Sequence, residues 1–123
     1  MERVTGIGGF FFGSPDPEAL TAWYAEHLGV DPVPHDYAQQ PWMQQAGPTA
    51  FAVFSADEPM LATTAHGWVL NFRVDDLEAM VAQLRAAGIR VEVDPDEYPN
   101  GVFASLEDPD GNPIQLWEQR TVS

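Results

Sequence analysis

The stretch Phe12-Gly-Ser-Pro-Asp16-Pro-Glu18-Ala19-Leu20-Thr-Ala22 returns sixty residues later as Phe72-Arg-Val-Asp-Asp76-Leu-Glu78-Ala79-Met80-Val-Ala82. Phe, Asp, Glu, Ala and Ala recur identically at this constant offset, and Leu20 is matched by Met80. Each copy reads as a strand end, a helix start and a helix that stops at glycine, Gly29 in the first and Gly88 in the second. An offset near half the chain length implies a duplicated supersecondary unit.

Working outward, the helices are fixed by their ends. Asp16 is a helix cap and Pro17 suits the first helical position, where a missing N–H costs nothing. Leu20, Trp23, Tyr24, His27 and Leu28 then fall on one stripe at helical spacing. In the second copy Asp75 or Asp76 caps, and Leu77, Met80, Val81 and Leu84 form the stripe. Strand-like segments follow each helix. In the second half they are Ile89–Val93, Val102–Leu106 and Ile114–Trp117, separated by turn sequences at Tyr98-Pro-Asn-Gly101 and Asp108-Pro-Asp-Gly-Asn-Pro113. The first half carries weaker segments near 41–46 and 49–54, interrupted by Gly47-Pro48.

The 123 residues suit one domain, and 45% hydrophobic content argues against disorder. The absence of cysteine rules out disulfides, thiolate metal sites and a cysteine nucleophile. No apolar run approaches the roughly 18 residues that span a bilayer, and Met1–Gly6 lacks the layout of a signal peptide. These features predict a soluble cytoplasmic protein. The formal net charge of −14, with five arginines and no lysine, reads as a solubilising surface that repels phosphate backbones and anionic lipid. Neither a nucleic acid nor a membrane is therefore expected as a partner.

The segments Asp16–Gly29, Asn71–Met80 and Glu107–Trp117, together with the repeat, resemble the vicinal oxygen chelate superfamily. That superfamily includes glyoxalase I, the bleomycin-resistance proteins and the extradiol dioxygenases. The resemblance implies an α+β fold of tandem duplicated βαβββ modules, forming a curved mixed sheet around a cleft with the helices packed outside. It implies one domain over residues 1–123, with module one at about 4–56 and module two at about 67–119, and it favours a homodimer. Enzymes of the superfamily hold a divalent metal in the cleft. Their His in the first strand falls at Gly9, their His opening the second module at Val69, and their final Glu at Gln115. The remaining ligand falls near Ala52, where no acidic residue is available. Such a set cannot replace the four protein ligands a divalent ion usually takes, so no metal and no other cofactor are expected.

No other metal motif is present. His27 lies on the first helix stripe, while His35 and His66 lie in loops, and no HExxH pair occurs. The Asp108-x-Asp110-x-Asn112 run fails as a calcium loop because Pro113 and Gln119 stand where Gly and Glu are required.

Strand alternation specifies what lines the cleft instead. In Trp68–Val74, Leu70 and Phe72 share the helix face, leaving Val69, Asn71 and Arg73 on the other. The same count directs Phe103, Ser105, Gln115 and Trp117 inward, and in the first strand Ile7, Gly9 and Phe11. The expected substrate-binding residues are Phe11, Val69, Asn71, Arg73, Phe103, Ser105, Gln115 and Trp117, with Trp42 and Tyr98 as lid or rim. Arg73 is placed to recognise a carboxylate or phosphate. The functional expectation is metal-independent binding of a small molecule, an anionic or aromatic metabolite or an antibiotic. A lyase or isomerase of the glyoxalase type and an interaction protein with a vestigial cleft are the alternatives, and a metal-dependent dioxygenase is disfavoured. Glu107, at a strand end, is the one acidic side chain counted near the cleft.

Overall fold

A computed structural model describes residues 1–62 and 66–120. The expected domain also includes residues 63–65 and 121–123, which lie outside the described residues. The elements are α1 (Pro17–Leu28), α2 (Pro59–Ala62), β1 (Leu70–Arg73), α3 (Leu77–Ala86), β2 (Glu92–Val93), β3 (Gly101–Glu107) and β4 (Pro113–Gln119). The architecture is α+β, with one open, mixed four-stranded sheet of order β1-β4-β3-β2. β1 runs parallel to β4, and β4 pairs antiparallel with β3, as β3 does with β2.

Both long helices begin as their sequences dictate. Asp16 accepts from the Ala19 amide and Asp76 from the Ala79 amide, so aspartates sixty residues apart perform the same capping task. α1 ends at Gly29, whose φ of 71° is the left-handed conformation that glycine adopts without a steric penalty. A third contact reaches α3 from the sheet, where Glu118 Oε1 accepts from the Leu77 amide at 2.8 Å.

The second half forms the expected strand–helix–strand–strand–strand order. Its second strand is shorter than the Ile89–Val93 read from the sequence. The Ile89 amide bonds back to the Leu84 carbonyl, and the Val91 carbonyl accepts from Arg85, so only Glu92–Val93 joins the ladder. The first half contributes α1 and the single turn α2, and no described residue before Leu70 lies in a strand. Gly47-Pro48 breaks the relevant stretch, and proline has no N–H to offer a ladder.

One face of the sheet is the core. Leu20 and Tyr24 of α1 and Leu77, Val81 and Leu84 of α3 pack against Ala104, Leu106, Ile114 and Leu116, with Val91 beside them. Leu84, Ile114 and Leu116 are fully buried, each contributing about 1.5–3 kcal/mol of hydrophobic stabilisation.

The β3–β4 turn ties the two halves together. Asp108 is 4% exposed and accepts four hydrogen bonds, from the Asp110 and Asn112 amides, from Asn112 Nδ2 and from the Tyr24 hydroxyl at 2.7 Å. A turn legible as a local hairpin is therefore also the anchor that holds α1 on the sheet. Burial, and then the hydrogen bond to Asp108, push the Tyr24 hydroxyl far above its ordinary pKa.

Candidate functional site

The sheet face opposite the helices carries the polar and aromatic side chains that alternation predicts. Strand pairing arranges them in rows. Asn71 stands beside Gln115, Gln115 beside Ser105, and Ser105 beside Glu92. The next row places Arg73 beside Trp117 and Trp117 beside Phe103.

The aromatic row is rigid for identifiable reasons. Phe103 and Trp117 are cross-strand partners whose rings lie nearly parallel, 5° apart with centroids separated by 6.3 Å. Trp117 is 8% exposed, and its indole N–H donates to the Asn100 carbonyl at 2.9 Å. Tyr98 meets Phe103 edge-on at 5.8 Å and donates its hydroxyl to Asp94. That bond raises the Tyr98 pKa above its ordinary value. Gly101 makes this close approach possible. Its φ is +139°, and a side chain there would collide with the Glu118 carbonyl and the Trp117 indole.

The polar row is partly satisfied internally, since Asn71 Nδ2 donates to Gln115 Oε1 at 2.7 Å. Beside it lies a shallow hollow of about 280 Å³, lined by Glu92, Val93, Asp94, Pro95, Phe103, Ala104, Ser105 and Gln115. A larger hollow of about 490 Å³ sits between α3 and the β2–β3 edge, with Leu77, Val81, Val93 and Val102 as its apolar walls and Arg85, Glu118 and Arg120 among its charged ones. It lacks the aromatic platform. Of its two arginines, Arg120 is held by Glu118 and Glu97, which raise its pKa, while the Leu77 amide and then Arg120 lower that of Glu118.

Six of the eight expected residues, Asn71, Arg73, Phe103, Ser105, Gln115 and Trp117, share one contiguous face through the strand register. Val69 immediately precedes β1 and is half-buried. Phe11 is not brought to the platform. It is 94% exposed, with its ring folded back onto Gly9, while its neighbours Phe10 and Phe12 pack on Trp68. Trp42 is not a lid over this face, because its ring meets Phe72 on the helix side of the sheet.

Arg73 has a structural partner that the sequence does not announce. Its Nη2 donates to the Gln45 carbonyl at 2.9 Å, and its guanidinium occupies the space that a side chain on Gly47 would fill. Arg73 thus fastens residues 45–47 across the edge strand. Sequence reasoning also missed Glu92. The alternation around buried Val91 carried the signal, because a residue next to a core-facing valine must point the other way.

The metal expected of superfamily enzymes does not fit this donor set. Gly9, Ala52 and Val69 have no donor side chains, and the Gln115 oxygen already accepts from Asn71. Among the described residues no group of three His, Asp or Glu side chains converges.

Residues 9–117 match the glyoxalase-like domain family. The chain belongs to that family. Glyoxalase-like domains are vicinal oxygen chelate proteins, the superfamily indicated by the repeat and the Asp16, Asp76 and Asp108 motifs. TnmS3, an antibiotic binding protein from Streptomyces sp. CB03234, aligns over 98% of this chain and 100% of its own, with 26% identity and a TM-score of 0.64. A lactoylglutathione lyase from Agrobacterium tumefaciens shares the fold at 20% identity and a TM-score of 0.60, covering 95% of this chain and 96% of its own. The uncharacterized protein YaeR of Escherichia coli (strain K12) is 41% identical over 51 residues, a match spanning 41% of this chain and 40% of YaeR. Among the described residues no helix is long and apolar enough to cross a membrane.

Proposed function

We propose that this glyoxalase-like domain is a metal-independent small-molecule-binding protein whose ligand lies on the sheet face of β1, β4 and β3. The observation that carries the reading is the Phe103–Trp117 platform. It is parallel, it is pinned by the Trp117–Asn100 hydrogen bond, and it is bordered by Asn71, Gln115 and Ser105. Flat apolar walls with a few fixed polar groups are how small-molecule sites are usually built. The likeness to TnmS3, an antibiotic binding protein, supports the same reading.

The rest of the proposal concerns how the face is enclosed. Residues 1–123 act as one domain of two tandem modules, about 4–56 and 67–119, of which the second supplies the βαβββ strands that carry the site. Val69 completes the wall at the module junction, and the chain works as a cytoplasmic homodimer. The recurrence of Asp16 and Asp76 as equivalent caps supports the duplication.

A second reading, a lyase or isomerase working without metal, is favoured by one observation. Glu92 stands in the same row as Ser105 and Gln115 and could serve as a general base.

The test is a thermal-melt screen of chelator-treated protein against divalent nickel, cobalt, zinc and manganese and a panel of aromatic compounds. A ligand at 100 times its dissociation constant stabilises by about 2.7 kcal/mol, several degrees in the midpoint. An aromatic compound is expected to give that shift, and Phe103→Ala to remove it. A comparable shift from a metal would overturn the metal-independent reading.

A further inference from the structure

The charges around the platform select the chemical class of its ligand, an argument that rests on the binding reading of this face. Arg73 is the one arginine in a described strand on the face, and it is committed to the Gln45 carbonyl and to the space above Gly47. It is therefore a fastening for residues 45–47, on β1 at the opposite edge of the sheet from β2 and Glu92.

Carboxylates dominate what remains. Glu92 and Asp94 both line the hollow beside Phe103. Asp94 is engaged, accepting from the Tyr98 hydroxyl and the Asp96 amide. Glu92 is more available. Its partner is Arg90, at 3.1 Å, and the two side chains are 70% and 89% exposed. An ion pair that open to water is worth little and is readily exchanged for another cation. The net charge of −14 adds a surrounding potential of the same sign.

We infer that the site takes a flat aromatic cation, with its ring against Phe103, at the open end of the Phe103–Trp117 stack, and an ammonium or amidinium group on Glu92. Glu92 and Phe103 are diagonal neighbours across β2 and β3, which separates them by roughly 7–8 Å. A cationic substituent one or two bonds from a fused ring system spans that gap. The aromatic faces also favour positive charge through the ring quadrupole.

Three anthracenes that differ in one substituent test this, namely 9-(aminomethyl)anthracene, 9-(hydroxymethyl)anthracene and 9-anthracenecarboxylate. Their binding is read by fluorescence anisotropy at about 0.15 M salt, where long-range charge effects are screened beyond about 8 Å. The aminomethyl compound is expected to bind about tenfold more tightly than the alcohol, and the carboxylate most weakly. Glu92→Gln, at an exposed position that tolerates the change, should erase the advantage of the cation, and Arg90→Gln should enlarge it. Equal binding of all three compounds, lost in Phe103→Ala, would keep the site and overturn the cationic class. A cation preference unchanged by Glu92→Gln would trace to net charge and overturn the role of Glu92. Failure of all three compounds to bind would overturn the site itself.

Discussion

Replacing Tyr24 with phenylalanine removes one oxygen from the core and tests how the halves are joined. The Tyr24 hydroxyl donates to Asp108 at 2.7 Å, and hydrogen bonds to charged groups contribute about 1.5–3 kcal/mol. Asp108 would keep its bonds from the Asp110 and Asn112 amides and from Asn112 Nδ2, so its carboxylate is not left bare. The lower part of the range applies, about 1.5–2 kcal/mol. A chain of 123 residues has an unfolding entropy of roughly 260 cal/mol/K, so the midpoint should fall by about 6–8 °C. Calorimetry at pH 7 reads this directly. The alkaline limb adds a second signature. Tyr24 has its pKa raised above the ordinary value of 10.0, so the folded state holds the proton longer than the unfolded one. Its contribution is complete below pH 10 and is lost as pH rises beyond it. Stability of the wild type should therefore fall more steeply above pH 10 than that of Tyr24→Phe. A variant within about 0.5 kcal/mol of the wild type at pH 7 would refute the anchor.

Other perturbations probe separate joints. Glu118→Ala strips the carboxylate from the first amide of α3 and should cost about 1 kcal/mol by denaturant titration. The Glu118 pKa is lowered, chiefly by the Leu77 amide, so this contribution is present above the ordinary value of 4.5 and fades as pH falls below it. Gly101→Ala forces a side chain at φ +139° against the Glu118 carbonyl and should destabilise by about 2 kcal/mol or more, with near-ultraviolet dichroism reporting displacement of Trp117. Leu116→Ala, at a fully buried position, should cost about 2–5 kcal/mol by the same titration. Arg73→Ala should leave global stability within about 0.5 kcal/mol but accelerate amide exchange in residues 45–47.

What could be read from the sequence was local chemistry. Asp16, Pro17 and Gly29 bound α1, Asp76 starts α3, and Asp108–Asn112 forms a turn, because caps and turns depend on a few adjacent residues. Alternation in Leu70–Arg73, Gly101–Glu107 and Pro113–Gln119 placed six expected residues on one face, since a pleat leaves each side chain only two directions.

The remainder depends on tertiary contacts. Nothing beside Arg73 announces that its guanidinium will meet the Gln45 carbonyl 28 residues earlier, and nothing beside Tyr24 points to Asp108. Trp42, read as lid or rim, finds Phe72 on the opposite side of the edge strand. Glu92 was legible in principle, but Ile89–Val93 was read only as a strand-like segment, and the acidic residue within it went unassigned.

The central claim is that ligands bind on the Phe103–Trp117 face without metal. The most direct test is a nitrogen-15 chemical-shift titration of chelator-treated protein with 9-(aminomethyl)anthracene. Shifts confined to the amides of residues 92, 103–105 and 115–117 are expected, with no change on adding zinc. Shifts centred instead on residues 77–82 and 95–97, around the larger hollow beside α3, or binding that appears only with the metal, would contradict it.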